Sequence, residues 1–437
     1  MKISVIGCGY LGAVHASSMA ELGHEVVGID VDSSKIALLS EGKATFFEPG
    51  LTEVLSSALA GGRLRFSSDI ADAAGAEVHF IAVGTPQTIG SYAADLTYVD
   101  AAVTSLLPYL SAGDLVVGKS TVPVGTAARL AELIATSGSG ASLAWNPEFL
   151  REGFAVNDTI HPDRLVYGVP AGEAGERATA QLNEIYATAI EAGTPVVVTD
   201  YATAELVKVS ANAFLATKIS FINAMAEIAE VTGADVTQLA DAIGFDDRIG
   251  RRFLNAGVGF GGGCLPKDIR AFTARAEELG RGESVAFLKE VDAINLRRRQ
   301  RVVDLVVSAL DGQLYNSRVA VLGLSFKPHS DDVRDSPALD VAVQLYGLGA
   351  SVVATDPQGI ENARGRHPQL EYTASVEDAL RDASVVVLVT EWPEFTEIDP
   401  VWARTLVKTP TIIDARNTLD PVAWRAAGWT YVGLGRP

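Results

Sequence analysis

Cys264 stands in FGGGCLPKD, residues 260–268. Proline is favoured in the first turn of a helix, so Pro266 predicts that Cys264 lies at a helix N-terminus. There the helix dipole and the neighbouring Lys267 both favour a thiolate. The glycines ahead of it allow close approach of a ligand to the backbone. Most free cysteines are small buried core residues. Glycines on one side and Pro-Lys-Asp on the other make a poor core environment, and a nucleophile fits the segment better. The other cysteine, Cys8, occupies a variable position of a glycine turn and reads as structural.

Lys208 and Asn212 are spaced i, i+4 and share a helix face with Glu205 and Leu215. A lysine among Val207, Val209, Ala211 and Ala213 is partly desolvated if that face is buried. Desolvation lowers its pKa and suits it to proton transfer or oxyanion stabilisation. Spacing alone leaves an ordinary surface pair equally open. WNPEFLREG, residues 145–153, supplies two carboxylates, Glu148 and Glu152, for acid–base work or for a solvated loop. KSTVPVGT, residues 119–126, follows a strand pattern. It should lie at the carboxyl edge of a sheet, with Thr121 as its polar contact. The six histidines are scattered, and no Cys/His spacing suggests a metal.

GCGYLG, residues 7–12, matches G-x-G-x-x-G, directly follows a strand pattern and precedes a helical one. Gly7 permits the tight turn, Gly9 lets a diphosphate approach the backbone, and Gly12 lets helix and strand pack closely. The next strand ends in Asp30, eighteen residues after Gly12. Asp30 would accept from the adenosine ribose hydroxyls and repel a 2′-phosphate, so NAD is favoured over NADP, a preference that Lys35 tempers. A nicotinamide site accepts hydride. A thiolate beside it can add to an aldehyde, and the resulting thiohemiacetal can be oxidised to a thioester that water hydrolyses. The combination points to an oxidation that ends at the carboxylate.

These residues need elements to position them. Val- and Ile-rich runs at 2–6, 25–30, 77–83, 114–118 and 195–199 read as strands. Most lack polar alternation, as in strands covered by helices on both faces. Interleaved helices imply crossovers and a parallel sheet. Residues 201–231 carry neither Pro nor Gly and form one long helix, with Gly233 as its stop. Further helix is expected at 235–243 and 283–310, with the glycine-rich 257–263 between. Strand patterns return at 317–323, 350–356, 384–390 and 410–414. The second half offers VLGLSFK and Asp356, but one glycine is too few for a second dinucleotide fingerprint. The chain is thus α/β, with doubly wound regions at 1–200 and 311–437 and a helical region at 201–310.

Its 437 residues and 48% hydrophobic content suit two or three globular domains. A net charge of −19 argues against general nucleic-acid binding and against an anionic membrane surface. Two cysteines cannot make a disulfide framework, and no apolar run has membrane-spanning length. A cytoplasmic protein is expected.

The chain resembles the UDP-glucose 6-dehydrogenases of the UDP-glucose/GDP-mannose dehydrogenase family over nearly its whole length. GCGYLG, FFEPGL (46–51), VGTPQ (83–87), KSTVPVGT, NPEFLREG, AELVKVSANAFLATKISFINA (204–224), GVGFGGGCLPKD and FKPHSDDVRDSP (326–337) occur in the family's order. One departure is Gly263, where the family usually has Ser before the cysteine. The resemblance implies two Rossmann-like domains joined by a long helix that forms a homodimer, with UDP held by the second domain. It implies NAD-dependent, four-electron oxidation of a sugar-nucleotide C6 alcohol to the uronate. By this likeness Cys264 is the nucleophile, Glu148 the acid–base residue and Lys208 the oxyanion stabiliser. Asn212, Asp268 and Thr121 position the reacting oxygen and a water. NAD would meet Gly7, Gly9, Tyr10, Leu11, Gly12, Asp30, Lys35, Thr85, Thr121, Glu152, Lys267 and Arg334. The sugar nucleotide would meet Glu148, Phe149, Leu150, Arg151, Lys208, Asn212, Asn255, Gly259, Phe260, Gly261, Phe326, Lys327 and Arg416. Arg248 would reach it across the dimer interface. UDP-glucose is the favoured substrate; GDP-mannose and a UDP-N-acetylhexosamine are the rivals, and a non-catalytic nucleotide-sugar sensor is a reading of another class.

Overall fold

A computed structural model describes residues 1–437. The chain divides into two compact units, Met1–Ala211 with Ala274–Gly280, and Asn212–Thr273 with Arg281–Pro437.

The first unit is built on an eight-stranded sheet. Its strands are β1 (Lys2–Ile6), β2 (Glu25–Ile29), β3 (Leu64–Ser67), β4 (Val78–Ile81), β5 (Leu115–Gly118), β6 (Ser142–Trp145), β7 (Leu165–Gly168) and β8 (Val196–Thr199), in the order 3-2-1-4-5-6-7-8. The chain reverses its direction of winding beside β1, which pairs β2 on one side and β4 on the other. Such a switch point opens a crevice at the carboxyl ends of the strands. Ile3, Val5, Val78 and Phe80 are buried there under helices, as expected for strands without polar alternation.

Two expectations need correction. The sheet is not wholly parallel, because β6 meets β7 antiparallel at Trp145 and Gly168. Apolar runs carry no mark of direction, so this reversal had no local signal. The run at 195–199 is an edge strand, not one covered on both faces: Val197 and Val198 of β8 are half exposed. The short runs Leu64–Ser67, Ser142–Trp145, Leu165–Gly168, Glu371–Tyr372 and Thr430–Gly433 are strands that the sequence pattern does not mark.

In the second unit a six-stranded, all-parallel sheet comprises β9 (Arg318–Leu322), β10 (Ser351–Thr355), β11 (Glu371–Tyr372), β12 (Val385–Leu388), β13 (Thr411–Asp414) and β14 (Thr430–Gly433), in the order 11-10-9-12-13-14. It repeats the switch of the first sheet at β9. The loop after β9 is pinned by the buried Asp356, whose Oδ2 accepts from Leu324 N at 2.7 Å and Ser325 N at 2.9 Å. Gly323 there has φ +115°, and a Cβ would lie 2.4 Å from Thr390 Oγ1. The mixed α/β, doubly wound class read from the sequence is the observed one.

The helical segments follow the pattern closely. One helix runs unbroken over Tyr201–Thr232, and Gly233 ends it at φ +77°. Others span Val236–Gly244, Leu265–Glu278 and Phe287–Ala309, the last preceded by a 3₁₀ turn at Gly282–Val285.

Candidate active site

The glycine turn of the first unit has the geometry its spacing requires. Gly7 has φ +91°, and a Cβ on Gly12 would sit 1.7 Å from the Gly7 carbonyl oxygen, so helix and turn touch only because residue 12 is glycine. Nothing lies within 4 Å of where a Gly9 Cβ would be. That open face, with Tyr10, Leu11 and Gly12 supplying the first N–H groups of the helix Tyr10–Glu21, fits a diphosphate. Asp30 ends the second strand as expected, and its Oδ2 also braces the turn. It accepts from Cys8 N and from Lys35 Nζ, each at 2.8 Å. A carboxylate has about four lone-pair sites, so these bonds leave capacity for ribose hydroxyls. Cys8 is buried against Phe66 and Gly28, and burial pushes its thiol far above the usual range. Its burial is in keeping with a structural role. Thr85 Oγ1 donates to the Thr121 carbonyl at 2.8 Å, tying together two loops at the same sheet edge.

Glu148 and Lys208 meet. Nζ of Lys208 donates to Glu148 Oε1 at 3.0 Å, and both side chains are nearly enclosed. Glu148 Oε2 accepts from Leu150 N at 2.8 Å, which fixes the carboxylate. The lysine also lies 5.6 Å from the Phe149 ring centre, and the guanidinium of Arg164 covers that ring at 3.8 Å. Lys208 is therefore buried, which resolves the choice against a surface pair. Glu205, on the same helix, accepts from Gly125 N at 2.8 Å and Ala127 N at 2.7 Å. It secures the loop after Thr121 rather than facing solvent. Burial raises its pKa above the ordinary carboxylate range.

Sequence reasoning missed Glu48. This buried carboxylate accepts from Gly153 N at 2.7 Å, from Ala155 N at 2.6 Å and from the Tyr10 hydroxyl. It locks the segment carrying Glu148 and Glu152 to the glycine turn. Only its place in EPG, before a left-handed Gly50, hinted at a fixed turn. Arg151 is bound to Asp158, through Nε at 2.8 Å and Nη2 at 2.6 Å.

In the second unit Cys264 is exposed and immediately precedes the helix Leu265–Glu278. Its carbonyl accepts from Asp268 N at 2.9 Å, the first turn of that helix. Asp268 is buried; its Oδ2 accepts from Asn212 Nδ2 at 2.7 Å, and its Oδ1 lies 2.8 Å from Lys267 Nζ. Lys267 thus shares its charge with Asp268. Arg334 packs over Gly263 while gripping Asp332 through Nε and Nη2.

Arg416 joins three loops, donating to the carbonyls of Val389 at 2.7 Å, Gly259 at 3.0 Å and Phe326 at 3.1 Å. Gly259 has φ +100°, and a Cβ there would strike Asn295. A Cβ on Gly261 would meet the Asp335 carbonyl at 2.3 Å. The Phe260 ring is buried with Ile269, Leu288 and Val291, so this residue's side chain serves the core. Lys327 lies 5.3 Å from the Phe326 ring centre. Two of the expected contacts stand apart from these groups. Arg248 is 89% exposed and paired with Asp246, and Asn255 accepts from Arg251 at 2.8 Å. No group of three or more His, Cys, Asp or Glu is arranged to hold a metal, and no helix is long and apolar enough to cross a membrane.

A glycine turn closed by an acidic residue, a buried Lys–Glu pair and an exposed helix-capping cysteine describe a nicotinamide-dependent oxidoreductase. Comparison with known proteins agrees. Residues 1–190 match the UDP-glucose/GDP-mannose dehydrogenase family, NAD binding domain, residues 202–297 its central domain, and residues 320–421 its UDP binding domain. A UDP-glucose 6-dehydrogenase of Rhizobium meliloti (strain 1021) is 41% identical over 440 residues, spanning all of both chains. One of Bacillus subtilis (strain 168) is 41% identical over 441 residues, all of this chain and 93% of the relative. Among solved structures, a UDP-glucose dehydrogenase of Pyrobaculum islandicum superposes with TM-score 0.90 at 39% identity, covering 100% of this chain and 98% of that one. The UDP-D-ManNAc dehydrogenase of Pyrococcus horikoshii gives 0.86 at 27% identity, covering 100% and 99%. The chain belongs to the UDP-glucose/GDP-mannose dehydrogenase family. It is an NAD-dependent dehydrogenase whose substrate class is the sugar nucleotides.

Proposed function

We propose that this enzyme oxidises UDP-glucose to UDP-glucuronate, with two NAD reduced per sugar nucleotide. The reading is carried by the exposed thiol of Cys264 at the head of a helix, with Asp268 one turn further on and fixed by Asn212. A two-electron alcohol dehydrogenase has no use for such a thiol. The relatives at 41% identity, named UDP-glucose 6-dehydrogenase and matched over all of this chain, support the choice of sugar nucleotide.

NAD held at the glycine turn supplies the hydride acceptor for both oxidations. Gly9, Tyr10 and Leu11 would take its diphosphate, Asp30 and Lys35 its ribose, and Thr85, Thr121, Glu152, Lys267 and Arg334 the remainder. The C6 hydroxyl passes its proton to a held water, Lys208 stabilises the alkoxide so formed by donating a hydrogen bond to it, and departure of the first hydride discharges that oxygen and leaves the aldehyde. The Cys264 thiolate then adds to the aldehyde carbon, and the carbonyl oxygen takes up a proton. Loss of the second hydride and that proton leaves a thioester on Sγ. Glu148 accepts a proton from a water that attacks the thioester, releasing the carboxylate and the Cys264 thiol. Asn212, Asp268 and Thr121 hold the oxygen and the water in line. Phe149, Leu150, Arg151, Asn255, Gly259, Phe260, Gly261, Phe326, Lys327 and Arg416 would enclose the sugar nucleotide. We divide the chain accordingly: residues 1–200 bind NAD, 201–310 form the dimer and 311–437 bind UDP.

The long helix supports the homodimer. It leaves Phe214, Phe221 and Ile228 exposed at seven-residue spacing, one apolar stripe with no partner in the chain. A second copy would cover that stripe and bring the partner's exposed Arg248-type guanidinium within reach of the substrate. Sparse cysteines and NAD dependence support a cytoplasmic setting.

The test is NADH release against a panel of UDP-glucose, GDP-mannose and UDP-N-acetylhexosamines. A kcat/KM highest for UDP-glucose supports the reading. Preference for another sugar nucleotide moves the enzyme to a neighbouring branch, and no NADH from any of them makes the chain a sensor.

A further inference from the structure

The helix Phe287–Ala309 carries Asp292, Asn295 and Arg299 at i, i+3 and i+7, which places them on one face. All three grip the segment that leads into and out of Cys264. Asn295 is wholly buried; its Oδ1 accepts from Phe260 N at 2.7 Å, and its Nδ2 donates to the Phe260 carbonyl at 2.9 Å. Arg299 Nη2 reaches the same carbonyl at 3.3 Å. Asp292 accepts from Nε and Nη2 of Arg270, on the helix Leu265–Glu278, each at 2.9 Å. Phe260 lies four residues before Cys264, and Arg270 six residues after it.

Asp335 joins these two flanks. Its Oδ1 lies 2.8 Å from Arg299 Nη1, and its Oδ2 accepts from Arg270 Nη1 at 3.1 Å. Its carbonyl accepts from Arg299 Nη2 at 3.2 Å and closes on Gly261, where a Cβ would lie 2.3 Å away. The preceding carbonyl, of Arg334, accepts from Gly262 N at 3.0 Å. Each arginine has a carboxylate besides Asp335: Arg270 has Asp292, and Arg299 has Asp340 Oδ2 at 3.3 Å. What Asp335 adds is the connection between two forked guanidiniums. It stands at φ +45°, a conformation that Asp and Asn adopt more readily than other side chains.

Resting on the functional reading above, we infer that Asp335 is a positioning residue for the Cys264 thiol: by tying Arg299 to Arg270 it fixes both ends of the loop from which the thiol attacks. Upstream, the loop is held at Phe260 N, the Phe260 carbonyl and Gly262 N. Downstream, the helix that begins at Leu265 is anchored through Arg270 to the same carboxylate. The step that depends on this is the bond from Sγ to the aldehyde carbon, because a near-attack geometry tolerates little displacement of the nucleophile. Removal of hydride from the alcohol does not involve Sγ and does not depend on it.

The test compares Asp335→Asn and Arg270→Lys, which break the bridge, with Asp340→Asn, which spares it. Asparagine keeps the shape and tolerates the backbone conformation, but its amide cannot accept from both guanidiniums. Lysine at 270 keeps the charge and can pair with Asp292, but one ammonium lacks the fork that spans both carboxylates. Asp340→Asn takes a carboxylate from Arg299 and leaves Asp335 in place. With NAD saturating, oxidation of the UDP-linked C6 aldehyde, supplied as substrate, should slow by about tenfold to a hundredfold in the first two variants. KM for UDP-glucose and the first hydride transfer, read as the first NADH formed in a single turnover, should stay within a few-fold. Asp340→Asn should match the parent in all three. Amide hydrogen exchange at Phe260 and Gly262 should quicken in the first two variants, with or without substrate, while the interior of Phe287–Ala309 stays protected. Unchanged exchange at those amides overturns the inference, as does equal slowing of both oxidations or an Asp340→Asn variant as slow as Asp335→Asn. If the unmodified protein makes no NADH from UDP-glucose, the functional reading fails, and the exchange measurement alone then decides whether Asp335 fixes the loop. Arg270→Lys covers the case in which Asp335→Asn does not fold.

Discussion

Gly263 vacates the space that the guanidinium of Arg334 fills: a Cβ at 263 would lie 2.5 Å from Arg334 Cζ. A side chain at 263 and this placement of the arginine are mutually exclusive. Arg334 is half exposed and can swing away, so Gly263→Ser should fold with a melting temperature close to that of the parent. Its cost should fall on the cofactor, because a displaced Arg334 would lose the charge-assisted contact to NAD proposed for it. The KM for NAD should rise, by up to about tenfold, with kcat little changed. An unchanged KM for NAD would show that Arg334 does not touch the cofactor.

Asp30 has two duties, and its removal should show both. Asp30→Ala strands the buried Cys8 N–H and should cost about 1–3 kcal/mol by urea unfolding. It also frees Lys35 from its ion pair and removes the charge that would repel a 2′-phosphate. The ratio of kcat/KM for NAD to that for NADP should therefore shrink. Equal use of both cofactors by the unmodified enzyme would contradict this account of Asp30.

How far these residues could be read in advance depended on how local their roles are. Gly7, Gly9, Gly12 and Asp30 were legible because a tight turn imposes its demands over a few residues. Cys264 was legible for the same reason, through Pro266. The long helix was legible from 31 residues without a breaker. Glu48 was not, because its role exists only when Tyr10 and Gly153, 38 and 105 residues away, are folded against it. The β6–β7 reversal was invisible because apolar alternation is the same in either direction. β3, LRFS, was too short and polar to stand out.

Three buried histidines make stability depend on pH. Burial lowers the pKa of His15, His24 and His79 below the unfolded value. Below about pH 6.5 the unfolded chain binds protons that the folded one does not, so stability is present above that pH and is lost as pH falls through it. Each histidine contributes up to about 1.4 kcal/mol per pH unit. His15 packs edge-on against Phe80, with ring centres 4.4 Å apart. Replacing it with Leu should flatten part of the slope between pH 6.5 and 5 in urea titrations. A slope equal to the parent's would show that His15 is protonated in the folded state.

Cys264→Ser separates the two oxidations. The first needs no covalent bond, so some alcohol oxidation should survive. In the proposed reaction the second needs the thiolate, and a serine hydroxyl is far less acidic and a poorer nucleophile at neutral pH. Uronate formation should fall by orders of magnitude. Any ester formed through serine should persist as added mass on the peptide carrying residue 264. Cys8→Ser should stay within a few-fold of the parent, since that thiol is buried in the glycine turn. Uronate formation by Cys264→Ser at the parent rate would return this cysteine to a packing role.

In the proposed reaction four electrons leave one sugar nucleotide at one site. The direct measurement is the amount of NADH formed when UDP-glucose is limiting and NAD is in excess, with the product analysed at the end point. Two NADH per UDP-glucose consumed, with UDP-glucuronate as the sole product, is the predicted result. One NADH and an accumulating free aldehyde would contradict it.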